Sequence, residues 1–242
     1  MFITFRKWTV YYLLCLIALV ISFAWIAKRG EAINTIADAY TSEGSPVLII
    51  DPGHGGEDGG AVSADGTVES HINLSIALTM DDLARFLGWE TIMTRDDDIS
   101  IHNSTAQTLR EKKVSDLKNR VLLCDSAENG ILISIHQNSM PAAKSVRGAQ
   151  VFYNAVDGSS QMAQAIQSVL NQALNQNNKK EIKQIGSNSY LMKSVSRPAV
   201  LVECGFLSNE TECQLLKTAE YQQKVALSII GAVTNYLTSI RK

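Results

Sequence analysis

The stretch VLIIDPGHGG, from Val47 to Gly56, joins an apolar strand to a glycine-rich turn that carries a histidine. Two later stretches repeat this arrangement: ILISIHQNS closes its apolar run at His136, and AVLVECGFLSN closes its run at Glu203. In an open α/β sheet the crevice for ligands lies at the carboxyl ends of the strands. We therefore expect His54, His136 and Glu203 to converge on one site, each at the end of its strand.

Apolar runs typical of strands alternate along the chain with segments that have helical periodicity. Strands are predicted at Val47–Asp51, Trp89–Thr94, Ile131–Ile135, Gln150–Tyr153 and Val200–Val202. Helices are predicted at Val68–Leu87, Ser115–Ala127, Ser159–Gln176, Glu210–Lys217 and Ala219–Leu237. This alternation is typical of the α/β class, with a mostly parallel central sheet and helices on both faces.

The N-terminal part of the chain differs from the rest in composition. Residues Trp8 to Ala27 form an uncharged, largely apolar run between basic pairs, long enough to cross a hydrocarbon core of roughly 30 Å as a helix. A cleaved signal peptide is the competing interpretation, but no small-x-small cleavage site directly follows the run. We therefore expect a transmembrane anchor in residues 1–29, a stalk in 30–45 and one domain in 46–242, on the extracytoplasmic side of the membrane.

Charge and cysteine content exclude some classes of function. The chain has 22 basic and 24 acidic residues, a formal net charge of −2, which gives no electrostatic case for binding nucleic acid. Outside the apolar N-terminal run the cysteines are Cys124, Cys204 and Cys213, without Cys-x-x-Cys spacing. Because an odd number of cysteines cannot pair completely, we expect buried free thiols.

The glycine-rich turn after the first strand has two interpretations. A phosphate-binding loop fits poorly, because the sixth position counted from Gly53 is Asp58, and both Glu57 and Asp58 would repel phosphate. A flexible loop that lets a metal-bound substrate approach His54 fits better. From this motif alone, a tight turn with a surface histidine remains an equally good explanation.

Each of the other candidate side chains also has a structural explanation. His136 follows such an apolar strand that it must find a partner or have a function. Glu69 opens a predicted helix, where the helix dipole favours acids. His71 is a rival ligand, but residues two apart on a helix point about 200° apart, so the two would not face one metal. Glu203 could cap the next turn, and alternation along the strand would turn Cys204 towards the core.

Two imidazoles and a carboxylate, with a second carboxylate spare, match the ligands of a catalytic zinc site and its general base. In order and spacing the motifs resemble the zinc-dependent N-acetylmuramoyl-L-alanine amidases of the type 3 family, which cut bacterial peptidoglycan. The resemblance covers Val47 to about Leu237. It implies Zn²⁺ held by His54, Glu69 and His136, with Glu203 as the catalytic acid and base.

The resemblance also implies the reaction, hydrolysis of the amide between N-acetylmuramic acid and L-alanine of the stem peptide. The chain departs from the commoner pattern at His71, Gln137 and Gly130, none of which is a ligand, while Arg95 and Arg120 resemble structural positions of the family. A lone catalytic domain behind an anchor resembles the spore-cortex, germination-specific members, which suggests the forespore envelope as a location.

Several alternatives stay open at the level of the sequence. A catalytically inactive peptidoglycan-binding module would keep the same fold, and a zinc peptidase would act on another cell-wall amide. The sequence also does not decide between an enzyme that works alone and one that needs an accessory activator protein.

Overall fold

The computed structural model describes residues 14, 17–22, 46–186 and 189–240. The chain divides into two compact units, Met1–Glu43 and Gly44–Lys242. In the first unit, residues 17–22 are helical. Among the described residues, no helix combines the length and the apolar character needed to cross a membrane. The anchor expected at Trp8–Ala27 falls largely outside the described residues, and the stalk expected at 30–45 falls entirely outside them.

A six-stranded sheet forms the centre of the second unit, in the order β2-β1-β3-β6-β4-β5. The strands are β1 (Val47–Pro52), β2 (Thr91–Met93), β3 (Gly130–Asn138), β4 (Gln150–Tyr153), β5 (Lys183–Gln184) and β6 (Ala199–Phe206). Strands β2, β1, β3 and β6 run parallel, whereas β4 is antiparallel to β6 and β5 follows the direction of β4. The expected α/β fold with a mostly parallel sheet is confirmed.

Six helices surround the sheet in the described part of this unit. They are α1 (Glu69–Phe86), α2 (Leu109–Ser126), α3 (Ser159–Ala173), α4 (Tyr190–Ser194), α5 (Glu210–Leu216) and α6 (Ala219–Ile240). Helix α2 begins six residues before the predicted start at Ser115. The reason is a capping box, in which the Glu111 amide donates to Thr108 Oγ1 (3.2 Å) and the Thr108 amide donates to Glu111 Oε2 (3.0 Å).

Both faces of the sheet are buried. Ile49 and Leu132 pack on one face with Cys124 of α2 and Leu191 of α4. The side chains of successive strand residues point to opposite faces, and Ile133 is as fully buried as Leu132. Helices therefore cover the sheet on its two sides, which leaves the ends of the strands as the accessible edge.

A buried ion pair holds the carboxyl end of β1. Arg120 of α2 pairs with Asp51, and both side chains are almost completely buried. The Arg120 guanidinium also donates to the carbonyl oxygens of Pro52 (2.9 Å) and His54 (2.8 Å). Asp51 in turn accepts hydrogen bonds from Thr94 Oγ1 (2.7 Å) and Ser134 Oγ (2.6 Å). One carboxylate thus links α2, β1, β3 and the segment that follows β2.

Burial alone would raise the pKa of Asp51, but the Arg120 charge and the two hydroxyl donors outweigh it and lower that pKa from 3.8 to about 2. Because the pKa is lower in the folded state, the carboxylate stabilises the fold above about pH 4. This contribution, about 2 kcal/mol for a shift of this size, is lost as the pH falls from about 4 towards 2.

We expect Asp51→Asn to lower the free energy of unfolding by about 3 kcal/mol at pH 7, because Arg120 keeps a buried charge with one partner fewer. The difference in the free energy of unfolding between wild type and variant should decrease by about 2 kcal/mol on acidification to near pH 2. Urea denaturation at a series of pH values measures both. The exposed Asp96→Asn serves as the control, and a gap that does not change with pH would contradict the role of the Asp51 charge.

Candidate metal centre

The neighbouring parallel strands and the start of α1 bring the predicted side chains to one edge of the sheet. His54 lies two residues beyond β1, and Glu69 is the first residue of α1. His136 and Glu203 are direct partners in the register between β3 and β6. These two residues lie within their strands and not at the strand ends as expected, because pairing resumes past a register shift and joins Asn138 to Phe206.

Three of the predicted residues form a group that could hold a metal ion. One ligand atom from each of His54, Glu69 and His136 lies within 4.8 Å of the other two. Glu69 Oε1 is 2.9 Å from His136 Nδ1 and 3.4 Å from His54 Nε2. Imidazole nitrogens and carboxylate oxygens are the donors that Zn²⁺ takes in catalytic sites. The donor set therefore fits a divalent cation of this kind.

Charge in the cluster favours binding of a cation. Burial opposes ionisation of Glu69, yet hydrogen bonds from His136 and His54 outweigh it and hold the pKa of Glu69 well below its usual range. Burial likewise lowers the pKa of His54, but hydrogen bonds to Asp58 and Glu69 dominate and raise that pKa to about 9. The buried carboxylate thus stays ionised and attracts positive charge, whether from protons or from a metal ion.

Glycines allow the backbone to approach the cluster closely. A Cβ atom on Gly53 would lie 2.2 Å from two ring atoms of His136, and one on Gly60 would lie 2.6 Å from Glu69 Oε2. His54 itself has a φ of 63°, in the left-handed region that a residue with a side chain rarely adopts. The glycine-rich turn therefore gives the rings and the carboxylate room to meet.

Hydrogen bonds fix the Glu69 carboxylate towards the two histidines. Its Oε2 accepts from the Ala61 amide (2.8 Å), and its Oε1 accepts from the Gln137 amide (3.0 Å) and from Asn73 Nδ2 (3.2 Å). Gln137 in addition donates its Nε2 to Asn73 Oδ1 (3.1 Å). The helix dipole alone therefore does not explain why residue 69 is acidic, because its carboxylate oxygens are held inside the cluster.

Asp58 orients His54 and was missed as a site residue in the sequence, where it counted only as a charge that would repel phosphate. Its Oδ2 lies 3.1 Å from His54 Nδ1 and 3.0 Å from Lys113 Nζ of α2. The Gly60 amide donates to Oδ1 at 3.3 Å. With Nδ1 engaged in this way, Nε2 of His54 remains directed to Glu69. A carboxylate four residues after a candidate ligand is the signal that could have revealed this role.

Glu203 is half-buried, and its Oε2 is shielded from solvent without a hydrogen-bond partner in the described part of the chain. Burial, reinforced by the charge of Glu69, raises the pKa of Glu203 to about 7, although His136 and His54 act in the opposite direction. A carboxyl group with a pKa near neutrality is suited to accept a proton and to return it.

The remaining candidates lie apart from this cluster. His71 is 62% exposed and lies 3.2 Å from Asp98, as expected for a residue on the other side of α1. The remaining histidine, His102, is half-buried and its Nδ1 lies 2.9 Å from Ser100 Oγ. The expectation of buried free thiols is confirmed for Cys124, Cys204 and Cys213. The complete burial of Cys204, next to the half-buried Glu203, agrees with the predicted alternation.

We expect Asp58→Ala to weaken Zn²⁺ binding by about 10–100-fold, because the carboxylate that orients His54 Nδ1 is lost. The Zn²⁺ affinity of Asp58→Asn should lie between those of the wild type and Asp58→Ala, because an amide oxygen keeps the hydrogen-bond acceptor but not the charge. Competition with a chromophoric chelator measures the affinity. Glu57→Gln is a matched control, because Glu57 pairs with Lys112 at the surface. Equal affinity in Asp58→Ala and wild type would refute the orienting role.

Comparisons with known proteins identify the family of the chain. The Amidase_3 family model, described as N-acetylmuramoyl-L-alanine amidase, matches residues 48–235. The germination-specific N-acetylmuramoyl-L-alanine amidase of Bacillus subtilis (strain 168) is 35% identical over 192 residues, which cover 79% of this chain and 80% of that protein.

Solved structures show the same relationship. The CwlD amidase of Clostridioides difficile, solved in complex with the GerS lipoprotein, is 37% identical with a TM-score of 0.76, and the match covers 80% of this chain and 99% of that one. An N-acetylmuramoyl-L-alanine amidase from Clostridium difficile 630 is 30% identical with a TM-score of 0.69, over 80% and 97% of the two chains. The chain therefore belongs to the Amidase_3 family of N-acetylmuramoyl-L-alanine amidases.

Proposed function

We propose that the protein is a zinc-dependent hydrolase that cleaves the amide between N-acetylmuramic acid and L-alanine in peptidoglycan. The observation that carries this proposal is the register between β3 and β6, which pairs His136 of the metal cluster with Glu203. The cluster and a carboxyl group whose Oε2 has no hydrogen-bond partner among the described residues thus meet at one edge of the sheet. Membership of the amidase family supports the choice of bond.

His54, Glu69 and His136 would hold the zinc ion, and Asp58 and Gln137 keep two of these ligands in place through the contacts described above. A zinc ion bound there supplies Lewis-acid chemistry, since it acidifies water and polarises a carbonyl group. Three protein ligands are the number found in catalytic zinc sites, in which a further position stays open.

Glu203 moves the proton in the proposed reaction. In its ionised form it accepts a proton from the water that attacks the scissile carbonyl carbon. In its protonated form it donates that proton to the nitrogen of the departing L-alanine. The carbon–nitrogen bond breaks, which leaves a carboxylate on the lactyl group of the sugar and a free amino terminus on the peptide.

We expect Glu203→Gln to bind zinc as the wild type does but to lose about 10²–10⁴-fold in kcat, the usual contribution of a general acid and base. His136→Ala should instead lose bound zinc. Metal analysis of the purified variants, paired with turnover on the same samples, separates the two roles. Full activity of Glu203→Gln, or unchanged zinc in His136→Ala, would contradict the assignment of that residue.

Mass spectrometry of digested peptidoglycan tests the reaction itself. Release of intact stem peptides with a free L-alanine amino terminus is the expected result. Shortened stem peptides would mean that the protein is a peptidase on another cell-wall amide. No release by the zinc-loaded protein would mean a binding module that keeps the fold without the activity.

We further propose that the domain works outside the cytoplasmic membrane, on spore-cortex or wall peptidoglycan, behind an N-terminal anchor. The apolar run from Trp8 to Ala27 supports the anchor, and the germination-specific relative supports the cortex. The lipoprotein in complex with the Clostridioides difficile relative motivates a search for an accessory partner of similar kind.

A further inference from the structure

A cleft of about 800 Å³ opens at the same edge of the sheet as the metal cluster. The residues that line it include Ser139, directly after β3, and Leu207, directly after β6. The loop from Val62 to Asp65 also lines the cleft, and it follows Gly60, at which a Cβ atom would lie 2.6 Å from Glu69 Oε2. The cleft therefore continues from the strands and the loop that carry the site.

Hydrogen bonds and an ion pair join the segments of this cleft. Asp65 Oδ2 lies 2.6 Å from Lys217 Nζ and accepts from Gln214 Nε2 (3.1 Å). Two hydrogen bonds join the segment after β3 to the segment after β6. Asn209 Nδ2 donates to the carbonyl oxygen of Lys144 (2.8 Å), and the Met140 amide donates to Ser208 Oγ (2.8 Å). The segments that line the cleft are thus joined to each other by the protein's own contacts.

The cleft contains charges that the protein itself leaves unpaired. Neither the ammonium group of Lys144 nor the carboxylate of Glu210 has an ion-pair or hydrogen-bond partner in the part of the chain that the structure describes. Asp65, by contrast, is neutralised by Lys217. A ligand that carries its own charged groups would therefore gain more from this cleft than a neutral one.

The proposed substrate has a sugar arm and a peptide arm, which differ in charge. The sugar arm carries neutral hydroxyl and acetamido groups, because its lactyl carboxyl group is consumed in the scissile amide. The peptide arm carries free carboxylates. Sugar rings are commonly bound by stacking on aromatic side chains, and none of the residues that line the cleft is aromatic. The chemistry of the cleft therefore favours the peptide arm.

We propose that this cleft binds the peptide arm of the substrate and that the Lys144 ammonium group pairs with a peptide carboxylate. The proposal rests on the proposed function, since the cleft would extend from the scissile bond. Lys144 would act as a specificity residue, because it selects substrates by charge at a distance from the reacting atoms.

The test compares kcat/KM for two soluble muramoyl-peptides that differ only in whether the peptide carboxylates are free or amidated. Because one ion pair at a solvent-exposed site is worth at most about 1 kcal/mol, we expect the wild type to prefer the free carboxylates by roughly two- to fivefold. Lys144→Met should reduce this preference to about one, and Lys144→Glu should reverse it. Lys179→Met, an exposed lysine outside the cleft, should keep the wild-type preference.

The outcomes separate the cleft from the reaction. A preference that persists in Lys144→Met, or an equal loss on both substrates, would overturn the assignment of the peptide arm while the amidase activity stands. Cleavage of neither substrate by the zinc-loaded wild type would overturn the proposed function, and the role of the cleft with it. Zinc content and thermal unfolding of each variant establish that the compared proteins are equally folded.

Discussion

Parallel pairing of β1, β3 and β6 is the constraint on which the site depends. Adjacent parallel strands end at the same edge of a sheet, and helices on both faces leave that edge as the place where polar side chains can collect. His54, His136 and Glu203 are distant in sequence, yet the register places His136 directly against Glu203. The order of the strands alone therefore brings the candidate site residues to one edge of the sheet.

The site also depends on buried charges, and two buried carboxylates lie at this edge of the sheet. Asp51 and Arg120 neutralise one another and fasten the turn that leads to His54. Glu69 is held instead by amide donors and two imidazoles. The first carboxylate is neutralised by the protein itself, whereas the second can still attract a cation, which supports the proposed metal site.

Much of this arrangement could be predicted from the sequence because its signals are local. The apolar runs located five strands, and the polar residues that follow or interrupt three of those runs located His54, His136 and Glu203. Glu69 could be placed only through family resemblance, because a carboxylate at the start of a helix has a common structural explanation. Asn73 acts through contacts that only the folded backbone creates, whereas the spacing of Asp58 from His54 was the one local signal for its role. Strand β5 and helix α4 are too short to produce a periodic signal.

The close approach at Gly53 also limits how the centre can adapt. This residue presents bare backbone to the ring of His136, and its amide donates to the carbonyl oxygen of Ile135 at 3.0 Å. This hydrogen bond ties residue 53 to β3, and the space next to its Cα is filled by the ring. Any side chain at residue 53 would therefore push the ring of His136 away from Glu69 Oε1, which lies 2.9 Å from its Nδ1, so the geometry of the proposed metal site depends on this glycine.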